Sequence, residues 1–297
     1  MKKLVIDVGA SAIKYALMDN EANIYQKGQK PTPKDTLDNF LAVIKSLYQQ
    51  FQFEIDGIAF SVPGTIDSNL GQIYAPGGLG YNENINLADK IGEFTNLPVS
   101  LENDGKSAAL AELWKGNLKD CQDGIVIVVG SGLGGGIIKD GKLIKGQHFF
   151  AGEFSFIKQN DQADFFGNVW ASRASTTALI NYTAANKGIN DINFDGRKVF
   201  EWISSGDQQA TLALKMVAKN LALGIYNLQC ILDPTKVLIG GGISKQPLLL
   251  KEINQELDLI YHNIPFDIPK PELDNCFFHN DSNLVGALYR FLQLYSN

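Results

Sequence analysis

Three times this chain runs an apolar strand straight into a glycine-rich turn. The first is Leu4-Val5-Ile6-Asp7-Val8-Gly9. The second is Ile125-Val126-Ile127-Val128-Val129 followed by Gly130-Ser131-Gly132-Leu133-Gly134-Gly135-Gly136. The third is Val237-Leu238-Ile239-Gly240-Gly241-Gly242. Continuous apolar runs of this length fit strands at the middle of a sheet covered on both faces. The residues after the first two turns, Ala12 to Met18 and Ile137 to Leu143, are again of strand type. The pattern is therefore strand, turn, strand, not the strand, turn, helix that a Rossmann or Walker phosphate loop requires. Its recurrence suggests a duplicated α/β architecture with ligands held beyond the strand ends, although the match between the halves is weak.

Glycine turns let backbone N–H groups approach an anion closely, because no Cβ intervenes. One such turn is an ordinary hairpin, whereas three at strand ends point to a phosphate-bearing ligand. Asp7, beside the first turn, is of a type to hold Mg²⁺ directly or through water, since Mg²⁺ takes oxygen ligands and keeps several waters. Lys14 either faces a phosphate or is an exposed strand residue.

Between the first and second turns lies Leu101-Glu102-Asn103-Asp104-Gly105-Lys106, where a strand ends and an Ala- and Leu-rich helix begins. Asp104 at such a junction is placed to act as a general base on a hydroxyl. An Asn or Asp ahead of a helix is also the commonest N-cap, and local sequence alone favours the cap. Helical spacing predicts further helices over 36–51, 87–94, 174–182, 197–203, 208–232 and 284–294. Pro63-Gly64 turns the chain at the end of a strand, and the glycine-dense loop Tyr74 to Asn82 lies over a ligand or is a plain surface loop.

At 297 residues the chain exceeds one ordinary core. A composition change over 116–124 gives two domains: a smaller one, 1–118 with 283–297, and a larger one, 119–282. Net charge is −6 with no basic run, so nucleic acid is not an expected partner. Cys121, Cys230 and Cys276 are too far apart for a Cys-rich zinc site or a disulfide framework. With no signal-like leader and no apolar run of about 20 residues, a cytoplasmic protein away from the membrane is expected.

These motifs together resemble the ROK sugar kinases, within the actin/hexokinase-like (ribonuclease H-like) ATPase fold, a two-domain α/β architecture with a duplicated mixed sheet and a central cleft. Asp7-Val8-Gly9-Ala10-Ser11-Ala12-Ile13-Lys14 resembles the family's first phosphate motif, and Gly130-Ser131-Gly132-Leu133-Gly134-Gly135-Gly136 the second. Val237 to Ser244 resembles the adenosine motif, and Glu102-Asn103-Asp104 the catalytic segment. The resemblance implies ATP and Mg²⁺. Asp7, Gly9, Ser11, Lys14, Gly130, Ser131, Gly132, Gly241 and Gly242 would serve the nucleotide, with Asp7 as the metal residue. It further implies that Asp104 takes the proton from a sugar hydroxyl, normally the one on C6, and that Gly64, Asn103 and Glu153 hold the sugar. A homodimer is the family expectation.

The chain departs from the family in three places. Ala10-Ser11 replaces Gly-Thr. Phe156 and the stretch Phe165 to Ala171 stand where many members carry a zinc-binding His and cysteines, so no zinc site is expected. A further sugar-binding Glu is replaced near Ser172-Arg173. His148 is offset and is not assigned. The C1 and C2 side of the pocket is therefore altered, which tells against plain glucokinase specificity and suits a zinc-free branch that includes β-glucoside kinases, where C1 carries a second group; the expected acceptor is the 6-hydroxyl of glucose or a glucoside. An N-acetylhexosamine (N-acetylmannosamine-type) substrate, or a non-catalytic ROK-type sugar sensor, is the alternative.

Overall fold

A computed structural model describes residues 1–161, 164 and 166–295. The chain divides into two compact units: Met1–Gly116 with Leu143–Ala151 and Asp281–Asn297, and Asn117–Lys142 with Gly152–Asn280.

The first unit begins with β1 (Lys2–Val8), β2 (Ala12–Met18) and β3 (Ile24–Pro31), an antiparallel meander whose first turn is the Gly9 corner. Helix α1 (Leu37–Phe51) starts where Thr36 accepts a hydrogen bond from the Asn39 N–H, and it buries Phe40, Ile44 and Leu47 at helical spacing. Then follow β4 (Ile55–Val62), a small sheet of β5 (Thr65–Asp67), β6 (Gln72–Ala75) and β7 (Ile85–Asn86), α2 (Leu87–Gly92), β8 (Val99–Asn103) and α3 (Asp104–Lys115). The main sheet has the order β3-β2-β1-β4-β8, with β1, β4 and β8 parallel.

The second unit repeats this plan. It contains β9 (Gly124–Val129), β10 (Leu133–Lys139) and the first residue of β11 (Lys142–Ile144), then α4 (Ala171–Ala174), α5 (Thr176–Lys187), α6 (Gly196–Ser204) and α7 (Gln208–Leu232). After these come β12 (Lys236–Gly240), α8 (Pro247–His262) and β13 (Glu272–Asn275). Its sheet order, β11-β10-β9-β12-β13, mirrors the first, with an antiparallel β9/β10 pair and parallel β9/β12/β13. Ile125, Ile127, Leu221, Ile225, Val237 and the fully buried Trp170 are central to its core. Asp233, in the left-handed region at φ 45°, ends α7.

The chain returns to the first unit as α9 (Ser282–Tyr295), which packs along α3. One segment departs from the expected partition: Leu143–Ala151 belongs to the first unit, not to the domain of its sequence neighbours. Lys145 forms an ion pair with Glu102 at 2.7 Å, and the Phe149 ring stacks on Tyr74, so both anchors are on first-unit elements. Among the described residues, no helix is long and apolar enough to cross a membrane.

Candidate active site

At the junction of β8 and α3, Asn103 and not Asp104 is the cap. Asn103 is the N-cap: its Oδ1 accepts from the Lys106 N–H at 3.0 Å. Its Nδ2 donates to the Gly64 carbonyl at 3.0 Å. The residue is 5% exposed, and both polar ends of its amide have protein partners. Asp104 is the first helical residue, half-buried, with Oδ1 accepting from the Gly105 N–H at 2.8 Å. The free N–H groups of a helix's first turn favour a negative charge at this point.

Gly64 sits at φ +118°, and a Cβ there would lie 2.1 Å from the Ala75 carbonyl oxygen, so only glycine fits. Asn103 thus ties the catalytic segment to the Gly64 corner, and that corner lies against the end of β6.

Behind the junction is a buried charge cluster. Glu102 is 0% exposed. Its Oε1 accepts from the Asn103 N–H at 3.0 Å, and its Oε2 pairs with Lys145 Nζ at 2.7 Å and lies 3.7 Å from Arg290 Nε. Lys145 also bonds Ser68, and Arg290 donates to Asn69 at 2.6 Å. Burial pushes the Lys145 ammonium below its ordinary pKa against the opposing pull of Glu102, and Arg290 and Lys106 add to the lowering.

Asp7, Lys14 and Ser61 stand side by side because the register of β1 with β2 and β4 pairs Asp7 with both partners. The Asp7 Oδ1 accepts from Ser61 Oγ at 3.1 Å and from Asn283 Nδ2 at 2.9 Å, and its Oδ2 lies 3.5 Å from Lys14 Nζ. The carboxylate is 4% exposed. With Oδ1 already taken by two donors, the group suits an outer contact to a hydrated Mg²⁺ better than direct ligation. The corner beyond it is closed by Gly9 N–H to the Ala12 carbonyl, while Thr32 donates to the Gly9 carbonyl and its own N–H bonds the Ser11 carbonyl. Ser11 is exposed.

In the second unit the other two glycine turns come together. Gly241, at φ +92°, passes so close to β9 that a Cβ would lie 2.2 Å from the Val129 carbonyl oxygen, one residue before Gly130. The Gly130 carbonyl accepts from the Thr176 N–H at 2.8 Å, and the Ser131 carbonyl accepts from Thr177 Oγ1 at 2.8 Å. The N-terminus of α5, capped by Ser175, therefore abuts the Gly130-Ser131-Gly132 turn. The start of α6 joins them, since Gly196 approaches both Thr176 and Ile243. Gly242 has open space where a side chain would be. Helix N-termini beside exposed glycine backbone form an anion-favouring surface.

Glu153 is half-buried at the start of a 3₁₀ turn, Phe154–Phe156. Phe156 is exposed, and Arg173 donates to Asn168 at 3.2 Å. Phe165, at the start of the stretch that replaces the zinc cysteines, lies outside the described residues. Lys145, Arg290, Asn283, Ser61 and Thr177 contact the expected site residues or their neighbours and were not among them. Of these only Thr177 carried a local signal, next to the N-cap Ser175 in the first turn of α5.

The family model described as "ROK family" matches residues 3–293, and the chain belongs to this family. A β-glucoside kinase of Listeria innocua is 29% identical over 295 residues, covering 99% of this chain and 98% of that protein. A solved ROK family protein of Streptococcus pneumoniae, in complex with sucrose, superposes with a TM-score of 0.88 at 30% identity, covering 99% and 98% of the two chains. A ROK family glucokinase of Streptomyces griseus, solved with glucose and AMPPNP, shares the fold with a TM-score of 0.85 at 24% identity over 97% and 98% of the chains.

Proposed function

We propose that this ROK protein is an ATP-dependent kinase that phosphorylates the 6-hydroxyl of glucose or of a β-glucoside. The observation that carries the reading is Asp104: a half-buried carboxylate at a helix start, with the neighbouring cap, Asn103, clamping the Gly64 corner. Asp104 accepts the proton as the hydroxyl oxygen attacks the γ-phosphorus. The bond from that phosphorus to the β,γ-bridging oxygen breaks, and ADP leaves with the electron pair. Little else of the chemistry is covalent work for the protein, so positioning and charge neutralisation dominate.

The Gly130–Gly132 and Gly241-Gly242 turns, with the starts of α5 and α6, bind the nucleotide. Lys14 and the Gly9-to-Ser11 corner serve the phosphates. Asp7, held by Ser61 and Asn283, is the residue that would hold Mg²⁺, and the ion would supply neutralisation of phosphate charge. Gly64 and Glu153 contact the sugar. Asn103 acts first by fixing the Gly64 corner, because its Oδ1 and Nδ2 are committed to backbone groups. The same reading includes a cytoplasmic homodimer, which light scattering after gel filtration tests.

Support comes from membership of the family and from the full-length likeness to a protein named as a β-glucoside kinase. A coupled ADP-release assay over glucose, cellobiose and N-acetylmannosamine tests it, with Asp104→Asn as control. Loss of the base is expected to lower kcat by about 10²- to 10⁴-fold while sugar binding, read by calorimetry, persists. An Asn variant with normal turnover would remove Asp104 from the reaction.

A further inference from the structure

We propose that the stacked rings of Tyr74 and Phe149 form a subsite for the group at C1 of the substrate: the second sugar of a β-linked disaccharide or an aryl aglycone. The inference rests on the glucoside-kinase reading and extends it outward from the Gly64 corner.

The path from the base to these rings is continuous within the first unit. Asn103, next to Asp104, holds the Gly64 carbonyl, and Gly64 packs on the Ala75 carbonyl with no room for a side chain between them. Tyr74 is the next residue along β6. Tyr74 precedes Ala75 in β6, so its Cα is one residue, about 3.8 Å, from that of the residue that packs on Gly64. Phe149 lies against it with centroids 6.0 Å apart and planes 15° from parallel. Tyr74 is nonetheless 44% exposed. The pair therefore offers an aromatic surface to solvent and is not closed into a core.

Two further features show that this surface is held in place. Phe149 has φ +58°, in the left-handed region, which is unfavourable for a bulky residue and persists only where surrounding contacts hold it. The segment that carries it is pinned at its root by the Lys145–Glu102 ion pair. It is closed by the Phe149 N–H to the Gly146 carbonyl at 3.4 Å and the Ala151 N–H to the Lys145 carbonyl at 3.1 Å. The same Glu102 orders the Asn103 backbone. One buried carboxylate thus fixes both the segment bearing the base and the segment bearing the ring.

The occupant follows from the chemistry of the surface. The rings present electron-rich faces with one hydroxyl at the edge. A β-linked glucopyranoside carries its substituents equatorially, so each ring face is a flat set of polarised C–H bonds that packs on an aromatic plane. Glucose alone, engaged at Gly64 and Asp104, leaves this surface unused. A second ring at C1 is the part of a glucoside available to use it.

The test compares kcat/KM for glucose, cellobiose and an aryl β-glucoside in Tyr74→Ala, Phe149→Ala and Tyr74→Phe, with thermal melts to confirm folding. Removing either ring is expected to lower the glucoside-to-glucose ratio of kcat/KM by about 3- to 10-fold, the equivalent of one aromatic stacking contact. Tyr74→Phe is expected to hold the ratio. An unchanged ratio, or equal losses for all three sugars, overturns the subsite. If the wild-type protein turned over no sugar, the kinase reading would fall. Calorimetry of cellobiose against glucose on wild-type and Tyr74→Ala protein would then decide the subsite separately, with an unaltered difference in affinity counting against it.

Discussion

Replacing Lys145 by Met strips a buried anion of its main partner. Glu102 is fully enclosed, its Oε2 is 2.7 Å from Lys145, and the next cation, Arg290, stands 3.7 Å away. Breaking a buried pair by removing one member typically costs about 3–5 kcal/mol, because the remaining charge is left uncompensated. Arg290 stays and the Lys145 side chain is 19% exposed, so the cost belongs at the lower end, about 3 kcal/mol. Glu102→Gln removes the anion and leaves Lys145 unpaired beside Arg290, which predicts a loss of the same sign. The double variant, Glu102→Gln with Lys145→Met, strands neither member of the pair and leaves only Arg290 without its carboxylate. Its loss is expected to fall short of the sum of the single losses by about 2 kcal/mol, within the range seen for contacting residues. Urea denaturation gives the three values. Hydrogen exchange over β8 and residues 143–151 shows that the first unit carries the effect. The Asn103 N–H also loses a fixed acceptor when Glu102 shifts, so kcat/KM should fall in Lys145→Met by about 10-fold or more through misplacement of the neighbouring base. Additive single losses, or a Lys145→Met protein as stable and active as wild type, would refute the claim that this pair organises the site.

Asn283→Ala removes one of the two donors on Asp7 Oδ1 and leaves Ser61 in place. The half-saturating Mg²⁺ concentration is expected to rise about 3-fold or more, as for loss of an outer-shell partner, while sugar affinity measured by calorimetry without nucleotide stays constant. Asp207→Ala deletes the N-cap of α7 and the partner of Lys187, and should lower Tm by about 2–4 °C. Lys187 and the Ala210 N–H hold the Asp207 carboxyl below its usual pKa. Its contribution is therefore complete above the ordinary carboxylate value, about 4, and disappears as pH falls through the depressed one. Melts of wild type and Asp207→Ala are expected to differ at pH 6 and to converge toward pH 2.

Short-range patterns in this chain carry real structural content. The apolar runs ending in glycine correspond to β1, β9 and β12, and the strand-type residues after the first two turns are β2 and β10. The spacing over 208–232 gives α7 with the same limits, because capping Asp207 and the Asp233-Pro234 stop act on the backbone next to them. Asp104 at a strand–helix junction was likewise legible. That Asn103 and not Asp104 is the cap was not, since Asn and Asp cap about equally well, and the Asn103 bond to the Gly64 carbonyl, 39 residues away, is a tertiary contact that no local pattern shows. Helix α8 is an element beyond those expected, although Pro247 at its first turn and Leu249, Ile253 and Leu257 on one face are ordinary helix signals.

By itself, then, the sequence determined the local alphabet: where strands stop, where glycine is unavoidable, and which carboxylate stands at a helix start. These depend on φ/ψ sterics and on hydrogen bonds a few residues long. Tertiary structure alone decided that residues 102, 145 and 290 share one buried charge cluster, that Asn283 steadies Asp7, and that 143–151 deserts its sequence neighbours to lay Phe149 on Tyr74. A lone Lys, Arg or Asn carries no mark of its partner. Its role appears only once distant segments are packed and an ionised group shut away from water must be met by an opposite charge or a hydrogen-bond donor.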